Sequence, residues 1–519
     1  MNNAPAILRT FIMYAVCVPV AMFIGYLLAN PLDYSTLALY GILATVLCFP
    51  ILLRWHHWLL LLSWYLSMNL FFLKGSPPPW LVMTMLSLGI SVLQRTLSRQ
   101  SQFIRVPQIT LPLIFLALVV LGTGKLTGGF GLRMLGSEVY GGRKYVFTIG
   151  AIIGYFALTA LRIPHHRWRL AVALFFLGGS SVAIGELYRV LPSGFNLLFW
   201  FFTPDPYAGY GNLEITQTAY STRFAYAVGF STAVTSFMLA CYGIRGIFLT
   251  RKPWRMIIFG LVSLAGLMGG FRNFAGTLAL VFLIQFFLEG MHRTKLLPLL
   301  GMIGMAAMFL IVPLASKLPL TAQRAVAFLP LSIDPQVERD TKESWTWRVE
   351  MWKGLLPQIP QHLLLGKGYG FSAGDFQFMG RDSAFHNVDP SQQALALSSD
   401  YHNGWLSVLL TFGIWGMIAF IWFAATGINV LYCNYRYGDP ELRTVNAFLL
   451  AAFVVRFLLF MSVSGLGLNV DLCYFVGWLG LSVSLNGGVC RRPAFQPVAA
   501  QEPPALRRPL LRPRPVFQR

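Results

Sequence analysis

A histidine stands where a polar stretch of the chain meets a long apolar run. The sequence there is DYHNGWLSVLLTFGIWGMIAF over 400–420, and it places His402 directly before the apolar residues. A run of this length predicts a membrane span, so His402 is expected at a membrane surface. Its ordinary pKa lies close to neutrality, so the imidazole could take up or release a proton there. Taken alone, the residue equally fits an interfacial histidine that only caps the helix.

Three arginines could bind an anion near that histidine. Arg272 interrupts the apolar run LVSLAGLMGGFRNFAGTLALVFL, Arg223 opens another run in YSTRFAYAVGF, and Arg348 lies in SWTWRVEMWKGLLPQI. A guanidinium bonds two oxygens in one plane and stays charged, which suits phosphate and pyrophosphate. For Arg272 the alternative is a side chain that extends to the interface only to keep its charge in water. That the three arginines meet in space is a hypothesis.

Arg348 belongs to a predicted helix over 344–359. Trp345, Arg348 and Trp352 are spaced by three and four residues, so they share one helix face. Pro357 and Pro360 predict the end of this helix, because proline removes a backbone donor and clashes with the preceding turn.

Glycines recur at positions 366, 368 and 370 in LLLGKGYGF, which follows this helix. They predict a tight turn in which glycine adopts backbone angles that other residues avoid. The stretch does not fit a dinucleotide-binding fingerprint, because no glycine follows three residues later and no βαβ unit surrounds it.

Composition predicts an all-α fold, a polytopic transmembrane helical bundle of about 14 spans (12–14) with a large, partly helical periplasmic loop. Of the 519 residues 56% are apolar and 11% are charged, too few charges to cover a soluble protein of this length. The apolar runs are continuous, without the alternation of a membrane barrel. Their centres lie near residues 19, 44, 65, 87, 115, 154, 178, 236, 263, 281, 305, 418, 455 and 477.

The placement of charge predicts the sidedness of the chain. The net charge is +21, and most of the excess falls in alternate joints and in the tail. The basic joints are 54–58, 95–105, 162–169, 251–255, 292–295 and 434–443. This is the positive-inside bias, which puts both termini in the cytoplasm and these joints against anionic lipid headgroups. The same pattern explains the charge without nucleic acid as a partner.

Four regions follow from this topology. The loop at 315–403 has almost balanced charge and is too long for a plain connection, so we expect the chemistry there. The predicted regions are spans 1–11 over 1–314 with outer loops near 124–145 and 187–223, the large periplasmic loop 315–403, the last three spans over 404–489, and a disordered basic cytoplasmic tail over 490–519.

The cysteines indicate neither a disulfide framework nor a metal site. All six fall in or beside apolar runs, and no Cys/His spacing typical of metal ligands occurs. We therefore expect no metal and no cofactor.

The order of these motifs resembles the O-antigen ligase and polymerase superfamily, bacterial polytopic membrane glycosyltransferases. That family has Arg followed four residues later by Trp, then Gly-x-Gly-x-Gly, His-Asn-x-x-Leu and Gly-x-x-Gly. The matching residues here are Arg348, Trp352, Gly366, Gly368, Gly370, His402, Asn403, Leu406, Gly413 and Gly416. The motifs extend over about 265–420, and the rest of the chain is similar only in being apolar or basic.

The resemblance implies a metal-independent, inverting glycosyltransferase at the periplasmic face of the bacterial inner membrane. Its donor would be a glycan on undecaprenyl pyrophosphate. His402 would be the catalytic base, and Arg348 and Arg272 would bind the pyrophosphate and stabilise the leaving group. The residues expected to bind substrate are Arg223, Asn403, Trp352, Gly368 and Gly370.

The acceptor and the base each leave an alternative. A lipid A-core acceptor would make the protein an O-antigen ligase, which we favour, and a lipid-linked repeat would make it a polymerase of O-antigen or exopolysaccharide. A second pair, His386 and Asn387, competes with His402 and Asn403 for the role of base.

A transporter or flippase is less favoured because no internal repeat is visible. Arg456, with Asp471 as a candidate partner, is the one feature that favours transport.

Overall fold

The computed structural model describes residues 34–47, 49–73, 75–97, 103–128, 141–203, 224–327, 332–370, 399–464 and 467–491, with a few isolated positions besides. These parts of the chain form helices joined by turns and short coils, and none of them is a strand. The predicted all-α class is confirmed. The tail beyond 491 lies outside the described residues.

The helices follow one another in a simple order along the chain. They are α1 (Tyr34–Leu47), α2 (Phe49–Ser63), α3 (Pro79–Leu97), α4 (Pro107–Leu126), α5 (Gly142–Leu158), α6 (Trp168–Leu177), α7 (Val182–Glu186), α8 (Asn196–Phe201), α9 (Ala225–Phe248), α10 (Pro253–Met268), α11 (Arg272–Leu288), α12 (Leu296–Leu314), α13 (Leu320–Val326), α14 (Pro335–Leu355), α15 (Ile359–His362), α16 (Gly404–Tyr437), α17 (Arg443–Leu459) and α18 (Leu468–Asn486).

Within the described ranges, seven helical segments are long and apolar enough to cross a membrane. They are Pro79–Leu97, Pro107–Leu126, His165–Glu186, Ala225–Phe248, Gly404–Tyr437, Pro440–Ser462 and Leu468–Asn486. Helices α10 and α11 are apolar but shorter, at 16 and 17 residues. The chain is therefore a multi-span helical membrane protein, and the count of about 14 spans stays a prediction.

One predicted joint is part of a helix. Residues 54–58 (RWHHW) lie inside α2, and His56 and His57 are both buried. The helix continues because this stretch contains no glycine or proline, whereas Pro50 stands at the helix start, where proline is tolerated. The His56 Nδ1 atom lies 2.8 Å from the Ser87 hydroxyl of α3, so a neighbouring helix supplies a hydrogen-bond partner. The apolar run centred near 65 correspondingly ends as turns and coil after Ser63.

The other basic joints that the structure describes lie together at one end of the bundle. Hydrogen bonds connect their surroundings, from Ile163 to Ser484, Asn434 to Ser482, Tyr435 to Leu288, and Ile244 to Glu289. Helix α16 has its last residues at this end and starts after His402, so His402 lies at the opposite end. We call the latter the His402 end of the bundle.

Helix α16 is broken at Gly413, and the predicted glycine turn fills the break. Gly413 has φ 66° and ψ −167°, outside the helical region. The backbone N–H groups of Lys367 and Gly368 donate to the carbonyls of Leu410 and Thr411 at 2.8 and 2.9 Å. In return the N–H of Ile414 donates to the carbonyl of Leu363 at 2.7 Å. The turn thus pairs backbone groups that the break would leave unsatisfied in an apolar environment.

Two glycines make this close approach possible. Gly366 and Gly368 both have φ 72°, which confirms the predicted turn. A Cβ on Gly366 would overlap the backbone of Thr411, and one on Gly368 would overlap the side chains of Thr127 and Tyr145. The turn is therefore specified by backbone packing against α16, α4 and α5.

Gly413→Ala should destabilise the protein strongly. The new Cβ would stand 2.5 Å from the carbonyl oxygen of Leu364, at a backbone angle that alanine avoids. The strained angle alone costs about 1–3 kcal/mol, and the overlap adds to it. Thermal unfolding in detergent should show a lower midpoint.

Gly276→Ala is the matched control. Gly276 lies in α11, and a Cβ added there would meet nothing within 4 Å, so alanine should be neutral or stabilise by up to about 1 kcal/mol. Equal midpoints for Gly413→Ala and the wild type would refute the role of the break.

Candidate functional site

Helix α14 carries Arg348 and starts nine residues before the predicted position. Its first turn is capped by Asp334, whose side chain accepts from the N–H of Gln336 at 2.8 Å, and Pro335 occupies the first helical position. The helix ends at Leu355, before Pro357 and four residues earlier than the predicted end at 359. An ion pair between Asp340 and the buried Arg324 of α13 fixes its first half.

One face of α14 connects the start of α11 with the start of α16. At one end of the face, the Nη2 atom of Arg272 donates to the Ser344 hydroxyl at 3.4 Å. At the other end, the indole N–H of Trp352 donates to the carbonyl of Tyr401 at 2.7 Å. Because Ser344, Arg348 and Trp352 are spaced by four residues, Arg348 lies between these two contacts.

A small apolar cluster holds this face in place. Its buried members come from α14, the residue before His402, and the first half of α16; they are Met351, Leu355, Tyr401, Leu406 and Leu410. Tyr401 is fully buried, and the Lys367 ammonium lies 5.2 Å from its ring centre. The first turns of α16, on the near side of the Gly413 break, are thus fastened to α14.

His402 is half-buried beside α14 and is held in an uncommon backbone conformation. Its φ is 52°, in the left-handed region. The ring of Trp347 meets the imidazole edge to face, with 5.8 Å between ring centres and a 77° angle between the planes. Left-handed angles are costly for residues other than glycine and persist only where the surroundings impose them. Trp347 and the anchored Tyr401 provide those surroundings.

The surroundings of His402 lower its pKa to about 4. Burial of the imidazole, which disfavours the charged form, is the main cause, and the nearby positive charge of Arg348 adds to it. The imidazole is therefore neutral at pH 7 and able to accept a proton. Arg348 and His402 therefore lie close enough for the charge of one to affect the protonation of the other.

An ion pair fixes the segment that precedes His402. The Lys144 ammonium, at the start of α5, lies 3.0 Å from the Asp400 carboxylate, and the two side chains are 19% and 20% exposed. Ser399, next to Asp400, also has a left-handed φ of 64°. The segment 399–403 is therefore bound to α5 on one side and to α14 on the other.

The structure gives other roles to several residues predicted to bind substrate. The Asn403 side chain caps α16 by accepting from the N–H of Leu406 at 3.2 Å. Trp352 anchors Tyr401 and packs against Trp345, with 5.9 Å between ring centres. Gly368 is packed against α4 and α5, and Gly370 follows it next to Gly141. These contacts are structural, and substrate binding by the four residues stays a prediction.

Two predicted residues lie outside the described part of the chain. They are Arg223 and the competing histidine, His386. Phe224, which follows Arg223, donates its N–H to the carbonyl of Gly269 at 3.1 Å, three residues before Arg272. The inclusion of Arg223 in the cationic cluster stays a prediction, as does the choice of His402 over His386.

Arg456 and Asp471 form the predicted ion pair away from this site. The Arg456 Nε atom donates to Asp471 Oδ1 at 2.5 Å, and Asp471 is fully buried. The guanidinium also lies 4.3 Å from the ring centre of Tyr474. The pair joins α17 to α18, as expected for a buried charge that has found its partner.

Among the described residues, no group of three or more His, Cys, Asp or Glu side chains is arranged to hold a metal ion. Arg272 contacts this face of α14 and Arg348 lies on it, beside a neutral imidazole. Such an arrangement can bind an anionic group and accept a proton from a neighbouring hydroxyl.

The comparison with known families agrees with this geometry. Residues 219–421 match the family model described as O-antigen ligase. This segment is therefore similar to an O-antigen ligase domain. It contains Arg272, Arg348, His402 and the glycine turn, so the resemblance to the O-antigen ligase and polymerase superfamily is confirmed. A search of curated proteins gives no match.

The sequence did not reveal three residues that position the candidate site. Trp347 could have been suspected, since it adjoins Arg348 in a tryptophan-rich helix. Lys144 and Asp400 are 256 positions apart, and no local pattern connects them. Lys144 stands in GGRKY at the start of an apolar run, where a basic residue is also an ordinary interfacial anchor.

Arg348→Met should raise the pKa of His402 from about 4 toward the ordinary 6.5, because it removes a nearby positive charge. Burial of the imidazole persists, so the shift should be partial. NMR of the protein with labelled histidine gives the titration, and His402→Gln assigns the signal. Arg339→Met, on an exposed position of the same helix, should leave the pKa unchanged. An unchanged pKa in Arg348→Met would refute the proximity of the two groups.

Lys144→Met and Asp400→Asn should each lower the thermal midpoint, and the double variant should lose less than the sum. Removing one partner takes the ion pair away from the other, largely buried charge. Coupling in a double-mutant cycle should be about 0.5–3 kcal/mol. Additive losses would show that the pair does not fix the segment before His402.

Proposed function

We propose that the protein transfers a glycan from an undecaprenyl-pyrophosphate donor to an acceptor hydroxyl at the periplasmic face of the inner membrane. The proposal is supported by the contact of Arg272 with Ser344 on α14 and by the effect of Arg348, four residues further along the same face, on the pKa of His402. All three residues lie in the segment that matches the O-antigen ligase family model. One acid–base group beside two permanent cations suits a reaction that moves a proton and releases a pyrophosphate.

His402 acts as the general base in this account. Its neutral imidazole takes the proton of the acceptor hydroxyl while the oxygen attacks the anomeric carbon of the donor sugar. The bond between that carbon and the pyrophosphate oxygen breaks, and the bonding electrons leave with undecaprenyl pyrophosphate. A single displacement of this kind inverts the configuration at the anomeric carbon. The lowered pKa keeps the imidazole ready to accept the proton at neutral pH.

Arg348 and Arg272 bind the pyrophosphate and stabilise the charge that develops as it leaves. Arg348 adjoins the base, and Arg272 reaches the same helix face one turn away at Ser344. Fixed charges act more strongly in a partly dry site than in bulk water. Two arginines could therefore replace the divalent cation that many glycosyltransferases use, which makes the proposed reaction metal-independent.

The proposed orientation follows from the charge pattern. The basic joints that the structure describes, apart from the one inside α2, lie at the end opposite His402 and would face the cytoplasm by the positive-inside rule. The His402 end would then face the periplasm, where the donor and a lipid A-core acceptor are both accessible. Among the two acceptors we favour lipid A-core, which makes the protein an O-antigen ligase.

His402→Gln should abolish transfer while the protein remains folded. Loss of a general base costs about 10²–10⁴-fold in rate. The measurement is conversion of purified undecaprenyl-linked glycan in liposomes, with His166→Gln, an exposed histidine at the opposite end, as the control. Lipid A-core and a second lipid-linked glycan are supplied as acceptors in separate reactions. Product with the second lipid-linked glycan alone would identify a polymerase. If wild-type protein gives no product with either acceptor, the proposed enzymatic function is refuted.

Arg348→Lys should be nearly as damaging as Arg348→Ala, with a loss of about 10²–10³-fold in kcat. Lysine keeps the charge but cannot bond two oxygens in a planar fork. Wild-type transfer should persist in EDTA. Full activity of Arg348→Lys, or a strict requirement for Mg²⁺, would contradict leaving-group stabilisation by arginine.

A further inference from the structure

A separate cavity opens at the His402 end, away from α14. Its volume is about 450 Å³, and it lies between the segment after α2 and the first turns of α3, α5 and α18. Asn469 of α18 contributes to its wall. Arg143, beside the Lys144 that pairs with Asp400, contributes from α5. The cavity therefore lies near the start of α5, where Lys144 pairs with Asp400.

Aromatic rings form much of the wall. Trp64 and Trp80 meet with 5.7 Å between ring centres and a 50° angle, and Tyr65 stacks on Tyr474 at 5.3 Å. Phe147 of α5 belongs to the same wall. Trp64 and Trp80 are buried behind this wall, whereas Tyr65, Phe147 and Tyr474 keep part of their surface exposed. Rigid rings of this kind offer flat apolar faces at little cost in entropy. The C–H face of a pyranose ring packs well on such surfaces.

Polar groups accompany these rings. The Arg143 side chain is exposed, and its guanidinium lies 5.3 Å from the Phe147 ring centre. Asn469 is 8% exposed, and its Oδ1 atom has no hydrogen-bond partner among the described residues. Ser67 adds a hydroxyl from the segment after α2. A few polar groups around an apolar wall are typical of a small-ligand site, where they fix orientation.

From these contacts we propose that this cavity is a glycan-binding subsite, which takes one end of a pyranose oligosaccharide while another sugar of the same chain lies at His402. The inference rests on the proposed function and adds a substrate-binding site to it. His402 is two positions after Asp400, a distance of at most about 7 Å along the chain. Asn469 of the cavity wall and Asp400 lie on either side of Gly467, since a Cβ added there would stand 2.9 Å from Asn469 Oδ1 and 2.5 Å from the Asp400 carboxylate. The cavity is therefore within reach of an oligosaccharide but remote from the reacting atoms.

A polyprenyl chain fits the cavity less well. Such a chain is wholly apolar, so it would leave Arg143, Ser67 and Asn469 without partners and would cost their desolvation. A sugar ring presents hydroxyls at its edge and C–H groups on its faces, which matches both kinds of wall. The donor glycan and the sugar of the acceptor both have such rings, so either could bind in the cavity.

Ser67→Trp tests the subsite by filling it. The position is exposed and lines the cavity, so the indole should occupy the space without disturbing the core. Arg143→Gln removes the cation at the same site. Ser193→Trp, an exposed serine outside the cavity, is the matched control. All variants carry His402→Gln, so that binding is measured without turnover.

Three probes are used in equilibrium dialysis with the full-length protein in detergent. They are core oligosaccharide freed of its lipid, donor glycan freed of its pyrophosphate, and undecaprenyl phosphate without sugar. Ser67→Trp should weaken the binding of one of the two oligosaccharides at least tenfold. Arg143→Gln should weaken the binding of the same oligosaccharide by a smaller factor. The affinity for undecaprenyl phosphate should not change in either variant. The oligosaccharide that loses affinity identifies the source of the sugar.

Unchanged affinity for both oligosaccharides in Ser67→Trp would overturn the proposed subsite. A loss of affinity for undecaprenyl phosphate alone would also overturn it. Transfer activity is measured separately in proteins with His402 intact. Loss of oligosaccharide binding with no transfer by wild-type protein would refute the enzyme and keep the glycan site. Intact transfer together with unchanged binding would support the enzymatic function and refute the glycan site.

Discussion

Helix α16 cannot cross an apolar environment with a break at Gly413 unless other groups pair its backbone. The segment 363–368 supplies these partners through three backbone hydrogen bonds, and the positive φ angles of Gly366 and Gly368 let it approach. The remainder of the His402 end depends on this contact. It fixes where the chain leaves α15, and it divides α16 into a long inner part and a short first part that packs on α14.

The short first part of α16 and the segment before it form the support of the proposed base. Asp400 is bound to α5, Tyr401 is buried against α14, and Asn403 caps α16. His402 lies between these fixed residues, so its left-handed backbone angle is imposed from both sides. Precise placement of a proton acceptor needs such support, because small displacements cost much of the benefit of proximity.

Much of the site was accessible from the sequence, because its parts are local patterns. The face shared by Trp345, Arg348 and Trp352, the glycine turn, and the position of His402 before a span all follow from spacing alone. Spacing did not predict two other contacts, since they join positions far apart in the chain. They are the pairing of Lys144 with Asp400 and the packing of the glycine turn against Gly413. The inclusion of 54–58 in α2 was missed because basic and histidine residues resemble a joint even where they are buried in a helix, as His56 is beside Ser87 of α3.

The pH dependence of kcat/KM tests the central claim, that a neutral His402 beside Arg348 accepts the proton of the acceptor. For the free enzyme this ratio reports the pKa of the essential base. In reconstituted liposomes the account predicts that activity falls on the acid side with a midpoint near pH 4, the pKa of His402, and that His402→Gln loses this limb together with most of the rate. A midpoint near 6.5, or a limb that persists in His402→Gln, would contradict it.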